Sequence, residues 1–94
     1  MAFSLPRLEH ALRARQGTTD PRKSYTQMML ADREGVKRKL QNEAVALVHA
    51  ESRDDVLWET ADLLYFVMLN LVQEGVALDE VVRELRGRAG RRRS

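Results

Sequence analysis

The sequence contains no cysteine, only two prolines and few aromatic residues, which make up 5% of its 94 positions. Without cysteine, a disulfide scaffold, a thiolate metal site and a cysteine nucleophile are all excluded. The longest apolar run, 63–69, is far shorter than the roughly 20 residues of a membrane-spanning helix. The N-terminus carries charges where a signal peptide would be apolar. We therefore expect one small, soluble, cytoplasmic domain that has no membrane partner.

Positive charge is concentrated at the C-terminus. The net charge is +2, but five of the sixteen basic residues lie in the last nine positions, which contain no acid. The rest of the chain, 1–85, therefore carries eleven basic and all fourteen acidic residues and is net negative. Because no aromatic residues are interleaved with the arginines, nucleic acid is not an expected partner. We expect a domain over 1–86 and a basic, disordered tail over 87–94.

Apolar residues recur at helical spacing almost throughout, and no stretch shows the alternation of a strand. Ser4, Ser24 and Ser52 are predicted N-caps, and Gly75 is a predicted helix end. A glycine- and proline-containing loop is predicted over 17–24. The helices are predicted at 4–16, 25–31, 33–50, about twenty residues after position 52, and 78–86. The predicted fold class is all-α, a bundle of four to five helices.

The predicted helix after Ser52 is apolar on almost every side, which is typical of a helix buried on every side. A chain of 94 residues has too few other helices to cover it. We therefore expect the bundle to be completed by oligomerisation, as a homodimer or a higher homo-oligomer.

Three acidic residues on apolar helices are the best candidates for chemistry. Glu59 and Asp62 are three residues apart and share one helix face. Glu43 interrupts the apolar stripe of the preceding helix. If the two helices pack antiparallel, as their short connection suggests, the three carboxylates converge and offer the oxygen ligands that Mg²⁺ or Mn²⁺ prefers. The alternative from the residues alone is that these acids are solvated or paired with basic side chains.

Four stretches occur in the order found in one enzyme family. They are Ser24-Tyr-Thr26, Lys39-Leu-Gln-Asn-Glu-Ala-Val45, Trp58-Glu-Thr-Ala-Asp-Leu-Leu-Tyr65 and Glu74-Gly-Val-Ala-Leu-Asp-Glu-Val81. Together they resemble the phosphoribosyl-ATP pyrophosphatases (phosphoribosyl-ATP diphosphatases), which belong to the all-α, MazG-like nucleotide pyrophosphatases. The resemblance runs from about residue 24 to residue 86. The amino-acid sequence of the third stretch is similar to that of the version found in multifunctional fungal enzymes.

The resemblance implies an activity and a set of site residues. The activity is Mg²⁺-dependent hydrolysis of phosphoribosyl-ATP to phosphoribosyl-AMP and pyrophosphate, the second step of histidine biosynthesis, at a site formed by helices at an oligomer interface. Mn²⁺ is a possible substitute for Mg²⁺. Carried over by position, the metal ligands and catalytic residues are Glu43, Glu59 and Asp62. Lys39 is expected to face substrate phosphates, and the residues expected to lie near the nucleotide or to support the site are Ser24, Tyr25 and Thr26.

Two positions depart from the family pattern, which reads Glu-Glu-x-x-Glu and then Glu-x-x-Asp. Asn42 and Ala46 replace two of its five acids, and alanine cannot ligate a metal. The loss predicts weaker metal binding, because each missing carboxylate removes charge that holds the cation. One alternative to the enzyme is therefore a catalytically weakened or inactive helical dimer that binds a nucleotide or a partner protein. Another is a pyrophosphatase for a different nucleoside triphosphate.

Overall fold

A computed structural model describes residues 2–17 and 24–91 of the chain. These residues form five α-helices and no strand, which confirms the all-α class. The predicted loop at 17–24 lies for the most part outside the described residues. The helices are α1 (Leu5–Arg15), α2 (Tyr25–Leu30), α3 (Arg33–Val48), α4 (Arg53–Glu74) and α5 (Leu78–Arg91).

Helix boundaries follow the predicted capping residues. The hydroxyls of Ser4, Ser24 and Ser52 each accept a hydrogen bond from the backbone N–H three residues later. These bonds satisfy amide groups that have no partner within the first turn of a helix. At the other end of α4, Gly75 adopts a left-handed conformation with φ 71°, which glycine accepts without the strain of a side chain. All four predicted boundary residues are confirmed.

Helices α3 and α4 pack side by side in opposite directions and form the centre of the fold. At one end, Arg33 at the start of α3 pairs with Glu74 at the end of α4, with 2.6 Å between Nη2 and Oε2. Helices α1 and α2 cover part of this pair. The buried core residues are Leu12, Met29, Leu30, Val36, Phe66, Met68, Leu69 and Val72.

Helix α5 continues to Arg91, five residues beyond the predicted helix end at 86. Arginine is a good helix former, and the glycines in this stretch cost only about 1 kcal/mol each. Side-chain pairs one turn apart also support the helix: Arg83 lies 3.2 Å from Asp79, and Arg88 lies 3.0 Å from Glu84. The last residues, 92–94, lie outside the described part of the chain.

In the described ranges, no single helix is long and apolar enough to cross a membrane. Helices α4 and α5 reach the required length and hydropathy only when they are counted together, across a bend of 110°.

The corner between α4 and α5 is held by polar side chains of α1. Glu9 Oε2 accepts a hydrogen bond of 2.7 Å from the backbone N–H of Leu78 and one of 3.0 Å from Arg13. Arg13 also donates to the carbonyl oxygen of Val76, at 2.9 Å. The bond from the Leu78 N–H, and next the Arg13 guanidinium, hold the pKa of Glu9 below its ordinary value, although burial opposes this shift.

Replacing Glu9 by glutamine is expected to lower the free energy of unfolding at neutral pH by about 1 kcal/mol, because the charged acceptor is lost. The pKa of Glu9 is lower in the folded than in the unfolded chain, so its stabilisation is present above pH 4.5. It disappears as the pH falls through the lower, folded-state pKa. Urea unfolding of the parent and Glu9→Gln between pH 7 and pH 3 measures this. The free energies of unfolding of the parent and of Glu9→Gln should converge as the pH falls. A difference between them that stays constant with pH would contradict the role of the Glu9 charge. Glu51→Gln, at an exposed acid between α3 and α4, is the control.

Candidate metal and nucleotide site

Three acidic side chains meet where α3 passes the N-terminal half of α4. One carboxylate oxygen from each of Glu43, Glu59 and Asp62 lies within 4.8 Å of the other two. All three residues are half-buried. We call this group the carboxylate cluster. The antiparallel packing of the two helices and the spacing of three between Glu59 and Asp62 together produce it.

The donor atoms of the cluster fit a hard divalent cation. Mg²⁺ binds oxygen ligands at about 2.0–2.1 Å, so oxygens on opposite sides of one ion are about 4.2 Å apart. Carboxylate oxygens gathered within 4.8 Å therefore need only small side-chain rotations to share an ion. Three carboxylates leave further positions for water or phosphate oxygens, which is the usual arrangement for protein-bound Mg²⁺.

In the described part of the chain, a lysine of α3 forms an ion pair with the carboxylate cluster. The Nζ atom of Lys39 lies 3.2 Å from Glu43 Oε2, one helical turn away on α3. Its side chain is 37% exposed, whereas that of Glu43 is only 14% exposed. Lys39 Nζ also lies 5.3 Å from the centre of the Phe66 ring. This distance is within the range of a cation–π interaction.

Aromatic residues form the side of the site that faces α2. Phe66 makes edge-to-face contacts with Tyr25 and Tyr65, at centroid distances of 6.5 and 5.1 Å. Tyr25 is half exposed, while Phe66 is buried. The ring of Tyr25 is therefore available to a ligand beside Lys39 and the carboxylate cluster.

The hydroxyls of Ser24 and Thr26 make bonds within the protein. Ser24 Oγ caps α2 by accepting from the Gln27 N–H, and Thr26 Oγ1 lies 2.7 Å from the hydroxyl oxygen of Tyr65. The bond to Tyr65 joins α2 to α4 beside Phe66. In this structure the two hydroxyls thus hold α2 in place beside α4. Whether they also contact a nucleotide stays a prediction.

Two further residues at the site, Tyr65 and Phe66, are not among the site residues predicted from the sequence. Phe66 follows Asp62 by four residues, so the helical period puts both on one face of α4. That spacing was the available signal. The contact of Phe66 with Lys39 depends on tertiary packing and has no local sequence signal.

The two positions that lack acids lie beside the cluster on α3. Ala46 is three residues after Glu43 and half-buried, and Asn42 is exposed. By helical geometry Ala46 lies within about 20° of the direction of Lys39 and about 60° from Glu43. A longer acidic side chain at position 46 would therefore start on the same side of α3 as the cluster.

The sequence is similar to one protein family and to several named proteins. A family model described as phosphoribosyl-ATP pyrophosphohydrolase matches residues 5–89. The phosphoribosyl-ATP pyrophosphatase of Metallosphaera sedula is 46% identical over 72 residues, which cover 72% of this chain and 77% of that protein. The histidine biosynthesis trifunctional protein of Komagataella pastoris is 42% identical over 65 residues.

The relatives differ greatly in length. The alignment with the Komagataella protein covers 69% of this chain but only 8% of that protein. The histidine biosynthesis bifunctional protein HisIE of Wolinella succinogenes is 38% identical over 88 residues, which cover 89% of this chain and 38% of that protein. No solved structure matches the chain. Since the family model covers almost the whole sequence, the chain belongs to the phosphoribosyl-ATP pyrophosphohydrolase family.

Proposed function

We propose that the chain hydrolyses phosphoribosyl-ATP to phosphoribosyl-AMP and pyrophosphate, in the second step of histidine biosynthesis. The observation that carries this proposal is the carboxylate cluster, with Lys39 beside it, in a chain that the family model matches over residues 5–89. The reaction adds water across the phosphoanhydride that joins the AMP part of the substrate to pyrophosphate. It needs a site that gathers negative phosphate oxygens and accepts a proton from water.

The residues divide this work between them. Glu43, Glu59 and Asp62 would hold Mg²⁺, or Mn²⁺ in its place. A bound ion of this kind neutralises phosphate charge and lowers the pKa of water. A carboxylate oxygen left free of the ion can accept the proton of the attacking water. Lys39 can donate to a phosphate oxygen, and Tyr25 offers an exposed ring against which a base can stack.

The decisive test is a comparison of substrates. The purified chain is incubated with phosphoribosyl-ATP, ATP and the deoxynucleoside triphosphates, and the products are identified by ³¹P NMR. We expect pyrophosphate and phosphoribosyl-AMP from phosphoribosyl-ATP, and little or no release from the others. Release from a different triphosphate alone would instead identify a pyrophosphatase of the same fold with another substrate.

A second candidate function is favoured by Asn42 and Ala46. Loss of these two acids weakens the expected hold on the metal, and the chain would then bind a nucleotide or a partner protein without turnover. Calorimetric binding of phosphoribosyl-AMP or of a non-hydrolysable triphosphate, with no pyrophosphate release from any substrate, would support this alternative over the enzyme.

We also infer that a second copy of the chain covers an apolar surface near the site. Six large apolar side chains at this end of α3 and α4 are exposed, and Trp58 and Leu57 are 70% and 66% accessible. These six are Val45, Val48, Val56, Leu57, Trp58 and Leu64. Three of them, Leu57, Trp58 and Leu64, lie within about 120° of one another around α4, and we call these three the apolar face. Exposed apolar patches of this kind mark interaction sites. The face continues into an apolar groove of about 270 Å³ between α1 and α4.

Replacing Leu57 by glutamate is expected to convert an oligomer to monomers, because a charge would be buried without a partner in the interface. Light scattering after size-exclusion chromatography measures the mass of the parent and the variant. Leu85→Glu, at a leucine of similar exposure on α5, is the matched control and should leave the mass unchanged. Dissociation by Leu85→Glu but not by Leu57→Glu would place the interface on α5.

A further inference from the structure

The positive charge beside the carboxylate cluster belongs to a side chain of the protein, Lys39. The ammonium group of Lys39 lies 3.2 Å from a carboxylate oxygen of Glu43, so one of the three carboxylates expected to bind the metal is already paired. Glu43 is shielded from water more than Lys39 is, since only 14% of its side chain is exposed. Shielding from water strengthens an ion pair relative to one on the open surface. The cluster is therefore partly neutralised from within.

A second contact keeps Lys39 at this position. Its ammonium group lies 5.3 Å from the centre of the Phe66 ring, and Phe66 is packed by Tyr25 and Tyr65. The ring face attracts a cation that lies within about 6 Å. Lys39 thus lies between a carboxylate and a buried aromatic ring, and both attract it.

A divalent cation and the ammonium group compete for Glu43. An ion bound through Glu43, Glu59 and Asp62 would lie within a few ångströms of the present position of Lys39 Nζ. At that distance the two positive charges repel strongly, because the site is partly shielded from water. The side chain of Lys39 is flexible, and 37% of it is exposed, so it has room to leave Glu43 without a change of the backbone.

We propose that Lys39 is an internal counter-ion that occupies the carboxylate cluster before the metal binds and is released by the metal to contact substrate phosphate. This inference rests on the proposed function, since it assumes that the cluster binds a divalent cation. It adds that metal loading and phosphate binding are coupled through one lysine. The coupling lowers the affinity of the empty site for the metal and increases its affinity for phosphate after the metal has bound.

The test is the binding of Mn²⁺ alone, and then of inorganic pyrophosphate to the Mn²⁺-loaded chain, both measured by calorimetry. We expect Lys39→Met to bind Mn²⁺ about three- to tenfold more tightly than the parent, because the competing ion pair is gone. We expect the same variant to bind pyrophosphate about tenfold more weakly, because a charge-assisted hydrogen bond is lost. Lys39→Arg, which keeps the charge, should bind Mn²⁺ as weakly as the parent.

Lys37→Met is the matched control. Lys37 lies on the same helix, and its ammonium group is 4.0 Å from Glu74 rather than from the cluster. The Lys37→Met variant should keep its affinities for Mn²⁺ and for pyrophosphate within about twofold of the parent values. Circular dichroism shows whether each variant keeps its helices.

Two outcomes would overturn the proposal, and they are distinguishable. Equal or weaker Mn²⁺ binding by Lys39→Met would show that the lysine does not compete with the metal, while the metal site itself would stand. No Mn²⁺ binding by the parent or by Lys39→Met would remove the metal site from the proposed function, and the role of Lys39 with it.

Discussion

Replacing Asp62 by asparagine is expected to lower pyrophosphate release from phosphoribosyl-ATP by about a hundredfold or more, with the fold intact. Asparagine has nearly the same shape but removes one of the three negative charges of the carboxylate cluster. The loss would weaken the binding of Mg²⁺, which in the proposed function stabilises the negative charge that develops during hydrolysis. Steady-state rates at saturating Mg²⁺ measure the effect.

The control for this prediction lies on the same helix. Asp55 precedes Asp62 by seven residues, so it lies on nearly the same side of α4 about 10 Å away, and it is exposed. Asp55→Asn removes the same charge but should change the rate by less than about twofold. If Asp62→Asn retained more than half of the parent rate, Asp62 would not be part of the catalytic site.

Restoring the two missing acids is expected to strengthen Mg²⁺ binding, whereas Asp62→Asn weakens it. Ala46→Glu places a carboxylate one helical turn beyond Glu43 on the side of α3 that carries Lys39. It should raise the affinity for Mg²⁺ on the order of tenfold, because metal affinity increases with the number of charged ligands. The double variant Asn42→Glu/Ala46→Glu should bind at least as tightly. Calorimetric titration with Mg²⁺ and with Mn²⁺ measures both.

A control variant with an acid on the other side of α3 distinguishes direct ligation of the metal from general electrostatic attraction of the metal. Ala44 is exposed and points about 160° away from Ala46 around the helix. Ala44→Glu adds the same charge and should raise the affinity much less than Ala46→Glu. If the doubly restored chain bound Mg²⁺ no better than the parent, the ligand positions assigned by resemblance to the family would be misplaced.

The parts of the fold that depend on local sequence were predictable. Ser4, Ser24 and Ser52 mark helix starts because a hydroxyl beside the first turn satisfies an unpaired amide. Gly75 marks a helix end because the left-handed conformation excludes most other residues. The convergence of Glu43 with Glu59 and Asp62 was predicted from helical spacing together with the antiparallel packing that a short connection suggests.

Contacts between distant parts of the chain were not predictable in the same way. Glu9 reaches the N–H of Leu78 across 69 positions of sequence, and Thr26 meets Tyr65 across 39. Such pairs depend on how α1 and α2 lie on α4, and a helical period does not specify this. The cytoplasmic location, the metal and the roles of the site residues remain predictions.

Helix α5 ends at Arg91 rather than at the predicted residue 86, because helix propensity and charge repulsion oppose each other in this stretch. A run of arginines repels itself, which favours disorder. Each arginine nonetheless favours the helix, and Arg88 pairs with Glu84 one turn earlier. The balance between these effects is small, so composition alone does not decide it.

The proposed hydrolysis requires that three carboxylates are enough for turnover. The measurement is pyrophosphate release from phosphoribosyl-ATP by the unmodified chain, with Mg²⁺, after chelation, and after Mg²⁺ is added back. We predict release that stops on chelation and returns with the metal, accompanied by an equal amount of phosphoribosyl-AMP. A folded, helical chain that released no pyrophosphate at any Mg²⁺ concentration would contradict the proposed hydrolysis.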